Sequence, residues 1–424
     1  MTRTEPSRPQ IDWQLADWLA WQGRLNPHQI ELGLDRTREV AQRLQLLPVA
    51  ATTITVAGTN GKGSSAALAA AIYWAAGYRV GCYTSPHLLR YNERIALDGE
   101  MVPDGALCEA FAAIERERRE VSLTYFEYGT LAALWLFHRA QVDVQVLEVG
   151  LGGRLDAVNI IDADCALLTN IGLDHTDWLG PDRESIGREK AGIFRHGRPA
   201  VCVDPQLPLS VSTAAADLNV DLRRLGVDFS YTRQAARWCW RGRDSIYPKL
   251  PLPGLPGEIQ VRNAAGVLAV IEALQVARPV NQVAIAEGLR ELTLPGRLQR
   301  HADLLLDVAH NAEAAQTLVD YLRIQPVSLA SRYLVLGMLA DKPVEAVGAL
   351  LSPWFERLYA AGLPPPRGLS GVDLQQRLAA VGIAAEACED VPAALSAART
   401  HNVGAAPIMV CGSFLTVAAA HCCA

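Results

Sequence analysis

The 424-residue chain has no run of about 18 consecutive apolar residues, so it offers no helix that could span a bilayer. Its nine cysteines include no Cys-x-x-Cys pair. They read as small core residues in a reducing compartment, not as a disulfide framework or a thiol redox motif. Cys422-Cys423-Ala424 is no prenylation box, which needs its cysteine fourth from the end. No dense basic run occurs and the net charge is −6, so nothing favours nucleic acid as a partner. The first ten residues are polar and lack the apolar centre of a secretory signal. Internal repeats and low-complexity tracts are missing too. What is present is half hydrophobic residues and a fifth charged ones, a globular composition long enough for two or three domains. A cytoplasmic enzyme is expected.

The most informative stretch is Gly58-Thr59-Asn60-Gly61-Lys62-Gly63-Ser64. A β-branched run, Thr53 to Val56, precedes it. An Ala-rich helical pattern follows and stops at Gly77. Strand, Gly-rich turn, lysine and helix make a phosphate-binding loop. The glycines admit an anion to the backbone, the helix N-terminus points free N–H groups at it, and Lys62 adds a charge. The usual pattern is G-x-x-x-x-G-K-[ST]. Here Gly63 separates Lys62 from Ser64, and two residues instead of four separate Gly58 from Gly61, so the loop is a variant.

Helices are expected over residues 11–25, with a tryptophan stripe as core, and over 34–47. A strand over 78–83 delivers Thr84-Ser85-Pro86-His87-Leu88, where Ser85 could cap a turn or coordinate a hard cation. Residues 90–95 read as loop. Helices follow over 104–119 and 130–139, the latter opened by Thr124 to Gly129. A buried strand over 142–147 ends at Glu148, followed by Gly150, Gly152 and Gly153. A carboxylate there suits a Mg²⁺-holding acid better than a simple strand end. A strand over 164–169 leads to Asn170 and His175, so Ser85, Glu148 and His175 are expected at one sheet edge. Lys190, on a helix over 184–194, is by sequence physics an ordinary helix lysine, since an ammonium cannot bind a cation. Antiparallel strands are expected within 229–246, a Pro/Gly-rich loop over 248–257 and helices over 261–274 and 283–292.

Leu294-Pro295-Gly296-Arg297 marks the expected domain boundary. Residues 1–294 form a P-loop-type α/β domain with a mostly parallel sheet and helices on both faces. Residues 295–424 repeat the strand–helix alternation as a smaller Rossmann-like α/β domain.

Several motifs occur in order: the phosphate loop, Thr84 to Leu88, Glu148-Val149-Gly150-Leu151-Gly152-Gly153-Arg154-Leu155-Asp156-Ala157, Leu173-Asp174-His175-Thr176, Gly187 to Gly192, Leu294 to Arg297, Asp307-Val308-Ala309-His310-Asn311 and Gly412-Ser413-Phe414. Together the chain resembles the folylpolyglutamate synthases in their bifunctional dihydrofolate synthase form, a Mur-ligase-like group of amide-forming ATP enzymes. The resemblance implies that Thr59, Asn60, Gly61, Lys62, Gly63 and Ser64 hold the ATP phosphates. It implies that Ser85, Glu148 and His175 hold Mg²⁺, with Lys190 as a carbamate. Lys62, Lys190 and His175 form the implied catalytic set. Asn263, Arg297 and Asp307 contact ATP, so that the nucleotide site is split between the domains. His28, Thr124, Tyr125, Phe126, Glu127, Leu155, Asp156 and Ala157 cradle the pterin. The implied substrates are 7,8-dihydropteroate, tetrahydrofolate and L-glutamate, and the implied state is a monomer. A UDP-sugar amino-acid ligase and a regulatory P-loop NTPase are the rival readings. The former would lack the Thr84 to Leu88 and Tyr125 to Glu127 stretches. Three departures stand out. Ala312-Glu313 follow Asn311 where family members often carry Pro-His, and Leu415 stands where histidine is common. The sequence also stops at Ala424, short of the usual final helix, which predicts a truncated helix and a less stable second domain.

Overall fold

A computed structural model describes residues 13–26, 31–325, 332–402 and 406–423. His28 lies outside them. The chain divides into two compact units. Unit 1 comprises Met1–Gly254 and Gln260–Leu292, and unit 2 comprises Leu255–Ile259 and Thr293–Ala424.

Unit 1 holds an eight-stranded sheet of β1 (Thr52–Ala57), β2 (Val80–Tyr83), β3 (Ile95–Leu97), β4 (Glu100–Met101), β5 (Val144–Glu148), β6 (Cys165–Leu168), β7 (Pro199–Cys202) and β8 (Asp221–Arg224). Their order is β4-β3-β2-β5-β1-β6-β7-β8. Only β3 and β4 run antiparallel to their neighbours. The helices are α1 (Leu15–Leu25), α2 (Asp35–Arg43), α3 (Lys62–Ala75), α4 (Asp104–Arg118), α5 (Tyr125–Ala140), α6 (Thr176–Leu179), α7 (Arg183–Ala191), α8 (Leu209–Asp217), α9 (Glu258–Ala273) and α10 (Gln282–Glu291).

The registers show how the sheet is covered. Gly81, Gln145 and Thr53 are partners and share a face. A Cβ at Gly81 would clash with Phe137 of α5, so α5 lies on that face. Val56 and Leu167 are partners on the opposite face, where Gly266 of α9 packs against Leu167 and Val203. With a helix on each face the central strands bury both of their sides, and β5 reads as buried throughout. The tryptophan stripe is core as expected. Trp18 and Trp21 are buried, and Trp13, Trp18 and Trp21 meet edge-to-face with centroids 5.5–6.1 Å apart.

Several boundaries differ from the sequence expectation. α2 stops at Arg43 and not at 47, because Gln45 takes a left-handed φ of 57° and Leu47 precedes a proline. Residues Tyr91–Arg94 form one turn of 3₁₀ helix where a loop was expected. The expected loop at 248–257 is strand as far as Pro251. A small antiparallel sheet contains β9 (Ser230–Arg233), β10 (Arg237–Arg241) and β11 (Ile246–Pro251) in the order β11-β10-β9. Pro248 is tolerated because β11 is an edge strand and bulges. Pro248 and Lys249 fall between the pairs Tyr247–Trp240 and Leu250–Trp238, and Lys249 has φ 61°.

Unit 2 is a second α/β layer structure. Its strands are β12 (Gln299–His301), β13 (Leu304–Leu306), β14 (Tyr333–Leu336), β15 (Arg357–Ala361), β16 (Glu386–Cys388) and β17 (Ile408–Cys411), in the order β12-β13-β17-β14-β15-β16. Only β12 is antiparallel to its neighbour. The helices are α11 (Ala312–Arg323), α12 (Val344–Leu351), α13 (Gly371–Ala379), α14 (Val391–His401) and α15 (Phe414–His421). Leu334, Leu336, Ala360, Met409 and Cys411 join Leu318, Val347, Leu351, Leu374 and Leu378 in one core. The last helix described, α15, is eight residues long. Ser413 caps α15 by accepting from Thr416 N at 3.0 Å, and Val417 and Ala420 are fully buried.

Candidate functional site

The carboxyl ends of β2, β5, β1 and β6 lie side by side, and each continues into a loop carrying candidate residues. Such an edge is where open α/β sheets bind ligands. The phosphate loop is braced from β6. Thr59 N donates to Asn170 O at 2.8 Å, Asn60 N to Asn170 Oδ1 at 2.7 Å and Thr169 Oγ1 to Asn60 O at 2.6 Å. Gly172 N donates to Thr59 Oγ1 at 2.9 Å. Gly58 has φ 154°, and a Cβ there would stand 1.7 Å from Thr169 Oγ1, so no larger residue fits. Gly61 caps α3 with φ 80°, and the Asn263 amide lies directly against it. Lys62 Nζ donates to Gly58 O at 3.1 Å and Thr59 O at 3.2 Å, folded back over its own loop.

Glu148 is buried at the end of β5 and accepts from Ser85 N at 2.8 Å. A Cβ on Gly63 would lie 3.4 Å from its Oε2, which places this carboxylate beside the first turn of α3. Lys190 is buried and donates to Gly58 O at 2.9 Å, so two lysine ammonium groups converge on one carbonyl. Burial, and then repulsion from Lys62, push the Lys190 amine down to about 7. Asp174 opposes that shift, which places its carboxylate near Lys190. His175 caps the short helix α6 with φ 53°, just beyond the Gly172 that locks onto Thr59. Among the described residues no three His, Cys, Asp or Glu side chains are clustered to hold a metal ion. The Glu148 carboxylate and the Ser85 hydroxyl supply hard oxygens of the kind Mg²⁺ prefers.

At the start of α5 Thr124 caps the helix, accepting from Glu127 N at 3.2 Å while Glu127 Oε2 accepts from Thr124 N at 2.7 Å. Glu127 Oε1 accepts from Arg36 and Thr37, so this carboxylate ties the start of α5 to α2. The Phe126 ring lies on Gly150, where a Cβ would come within 2.6 Å of it. Asp156 is buried, accepting from Leu151 N at 2.8 Å and Val158 N at 3.1 Å, and burial pushes its carboxyl up to about 7. The Asn159 amide donates to Arg154 O and Gly192 O, both at 3.0 Å, and stitches this loop to the end of α7 below Lys190.

Three residues were given no role by the sequence reading. Asn170 and Asp174 look like ordinary loop polars until the chain folds. Arg94 is nearly buried, and its guanidinium lies over the Tyr91 and Tyr125 rings at 5.3 and 5.6 Å. It donates to His87 Nδ1 at 2.8 Å, a ring pushed down to about 4 by burial and by Arg94 itself. Among the described residues no carboxylate pairs with it.

In unit 2, Asp307 is buried and accepts from Leu298 N at 2.9 Å and Ala309 N at 2.8 Å; burial pushes its carboxyl up. The Arg297 guanidinium lies 5.6 Å from the Phe414 ring centre.

Comparison with known proteins identifies the family. The Mur ligase middle domain model matches residues 56–205, and the Mur ligase, glutamate ligase domain model matches residues 296–414. The dihydrofolate synthase/folylpolyglutamate synthase of Escherichia coli (strain K12) is 44% identical over 414 residues, covering 97% of this chain and 95% of that protein. A structure of E. coli FolC in complex with DHPP and ADP has a TM-score of 0.92 at 43% identity, covering 97% of this chain and 98% of that one. A structure of bifunctional folylpolyglutamate synthase/dihydrofolate synthase with Mn, AMPPNP and L-glutamate bound has a TM-score of 0.89 at 44% identity, covering 98% and 99%. This likeness extends over nearly the whole chain, and the chain belongs to the dihydrofolate synthase/folylpolyglutamate synthase family of ATP-dependent ligases.

Proposed function

We propose that the chain joins L-glutamate to 7,8-dihydropteroate, giving dihydrofolate, and extends tetrahydrofolates by further glutamates, using ATP and Mg²⁺. The observation that carries this is one sheet edge holding a phosphate loop, a buried acid at Glu148 and a buried, easily neutralised lysine at Lys190. The loop amides and Lys62 hold the ATP phosphates once Lys62 swings off Gly58 O. The Arg94 guanidinium seats the acceptor carboxylate, supplying the anion partner that its surroundings lack. Phe126 and Asp156 line the pterin pocket.

The acceptor carboxylate attacks the γ-phosphorus in line and ADP leaves, forming an acyl phosphate. The amine of glutamate then attacks the acyl carbon, inorganic phosphate departs and the new amide loses a proton. Lys190, neutral enough near pH 7 to be a nucleophile, adds to CO₂ and releases a proton, becoming a carbamate. That carbamate, Glu148, Ser85 and His175 would hold Mg²⁺, which when bound neutralises charge on the transferring phosphoryl group. Nine free cysteines and no described helix long enough to cross a membrane support a cytoplasmic setting.

The test is ATP-dependent phosphate release with and without L-glutamate, offering 7,8-dihydropteroate and then tetrahydrofolate. Glutamate-dependent turnover with both is expected. Turnover with tetrahydrofolate alone would overturn the dihydropteroate part, and turnover with neither would overturn the reading.

A further inference from the structure

We propose that Arg36 is a positioning residue for the pterin end of the acceptor, acting through Glu127. The inference rests on the pterin pocket proposed above. Arg36 sits in the first turn of α2, the helix end where a cation opposes the helix dipole. Its place there serves something other than α2. The guanidinium reaches across 91 residues of sequence to Glu127 Oε1, from Nε at 3.3 Å and Nη2 at 3.1 Å. The same group donates from Nη2 to Glu31 O at 3.0 Å and from Nη1 to the Glu31 carboxylate.

Capping of α5 does not need this pair. Thr124 and Glu127 already satisfy each other's backbone N–H groups. What Arg36 adds is a hold on the segment that precedes it. Glu31 is gripped by the guanidinium, and Gly33 N donates to Leu155 O at 3.2 Å. Residues 31–34 are therefore strapped at one end to the turn that carries Tyr125 and Phe126, and at the other to the loop that carries Asp156. These are the two walls assigned to the pterin. With the strap tied, the walls stand in place before the acceptor arrives. With it released, binding must order the segment, and acceptor affinity falls while the chemical step is untouched.

The experiment is steady-state, glutamate-dependent phosphate release by Arg36→Met and Arg36→Lys, varying 7,8-dihydropteroate and then ATP. Arg36→Met should raise the KM for dihydropteroate about tenfold and leave kcat and the KM for ATP within about twofold. Arg36→Lys should fall between, because an ammonium keeps the charge but cannot span Glu31 and Glu127 together. Thermal unfolding reports whether Arg36→Met is folded; if it is not, Arg36→Lys decides by the same KM criterion. An unchanged KM for dihydropteroate overturns the proposal. So does a parallel loss of kcat and ATP affinity, which marks a general structural role. Absence of dihydropteroate turnover in the unaltered enzyme overturns the functional reading as well, whereas wild-type turnover with unchanged variants removes only Arg36.

Discussion

The two units end their parallel sheets differently. At the edge of unit 1, charged groups are buried in states far from their ordinary ones: the Lys190 amine is pushed down to about 7 and the Asp156 carboxyl up to about 7. At the matching edge of unit 2, the described turns are built from caps. Asn311, Ser370, Asp390 and Ser413 each hold the first turn of a helix. Asp307 is the exception, pushed up by burial and held, like Asp156, by two backbone amides. The difference supports placing the proposed chemistry at the edge of unit 1. Perturbed charge is costly and is retained where it acts; caps are stabilising and can be placed anywhere.

The largest test of that contrast is Lys190→Ala. Glutamate-dependent phosphate release should fall by about a thousandfold or more, with the circular dichroism spectrum intact, and added bicarbonate should not restore it. Activity near that of the unaltered enzyme would remove Lys190 from the site. Next comes Glu148→Gln, nearly isosteric, which should cut turnover about a hundredfold and weaken its dependence on Mg²⁺ concentration. An unchanged Mg²⁺ titration would reduce Glu148 to a strand end.

A pH series sharpens the same point. In CO₂-depleted buffer, the folded protein sheds the Lys190 proton near pH 7, while the unfolded chain keeps it to about 10.4. Between those values the unfolded state binds more protons, so this group makes folding more favourable as pH rises. Below about 7 the full cost of burying an ammonium is present. The Tm of the unaltered protein, measured against that of Lys190→Met, should therefore climb from pH 7 to pH 10. A flat difference would mean that Lys190 is solvated. The smallest effect belongs to unit 2. Ser370→Ala removes the cap that accepts from Asp373 N at 3.1 Å and should cost about 1 kcal/mol, a few degrees of Tm, with kcat unchanged. A drop in kcat would erase the contrast.

Much of the fold was legible because its signals are local. The β-branched run into Gly58 and the Ala-rich helix after it specify the phosphate loop within about 25 residues of chain. The strand ending at Glu148 announces itself by its valines and leucine, interrupted only by Asp143 and Gln145. β11 was hidden because Pro248 reads as a loop residue, and only its place at a sheet edge makes it tolerable there. The three-residue strands β12 and β16 are too short to show a period. The roles of Arg36, Arg94 and Asp174 were hidden for another reason. Each owes its meaning to a partner, or to the lack of one, that only folding reveals. Lys190 shows both sides. Its motif gave it a role by resemblance, while its burial against Gly58 O supplies the physical reason an amine there could be reactive.

The contact between Asn263 and Gly61 carries a consequence in time. Gly61 emerges from the ribosome 202 residues before Asn263, and at about 5–20 residues per second that interval is roughly 10–40 s. Throughout it the nascent phosphate loop has its full sequence but not the amide that leans on it. Nor has it α9, which covers the face carrying Leu167. A chain released at residue 254 would stay in that state permanently, with every loop residue present and the loop unfinished.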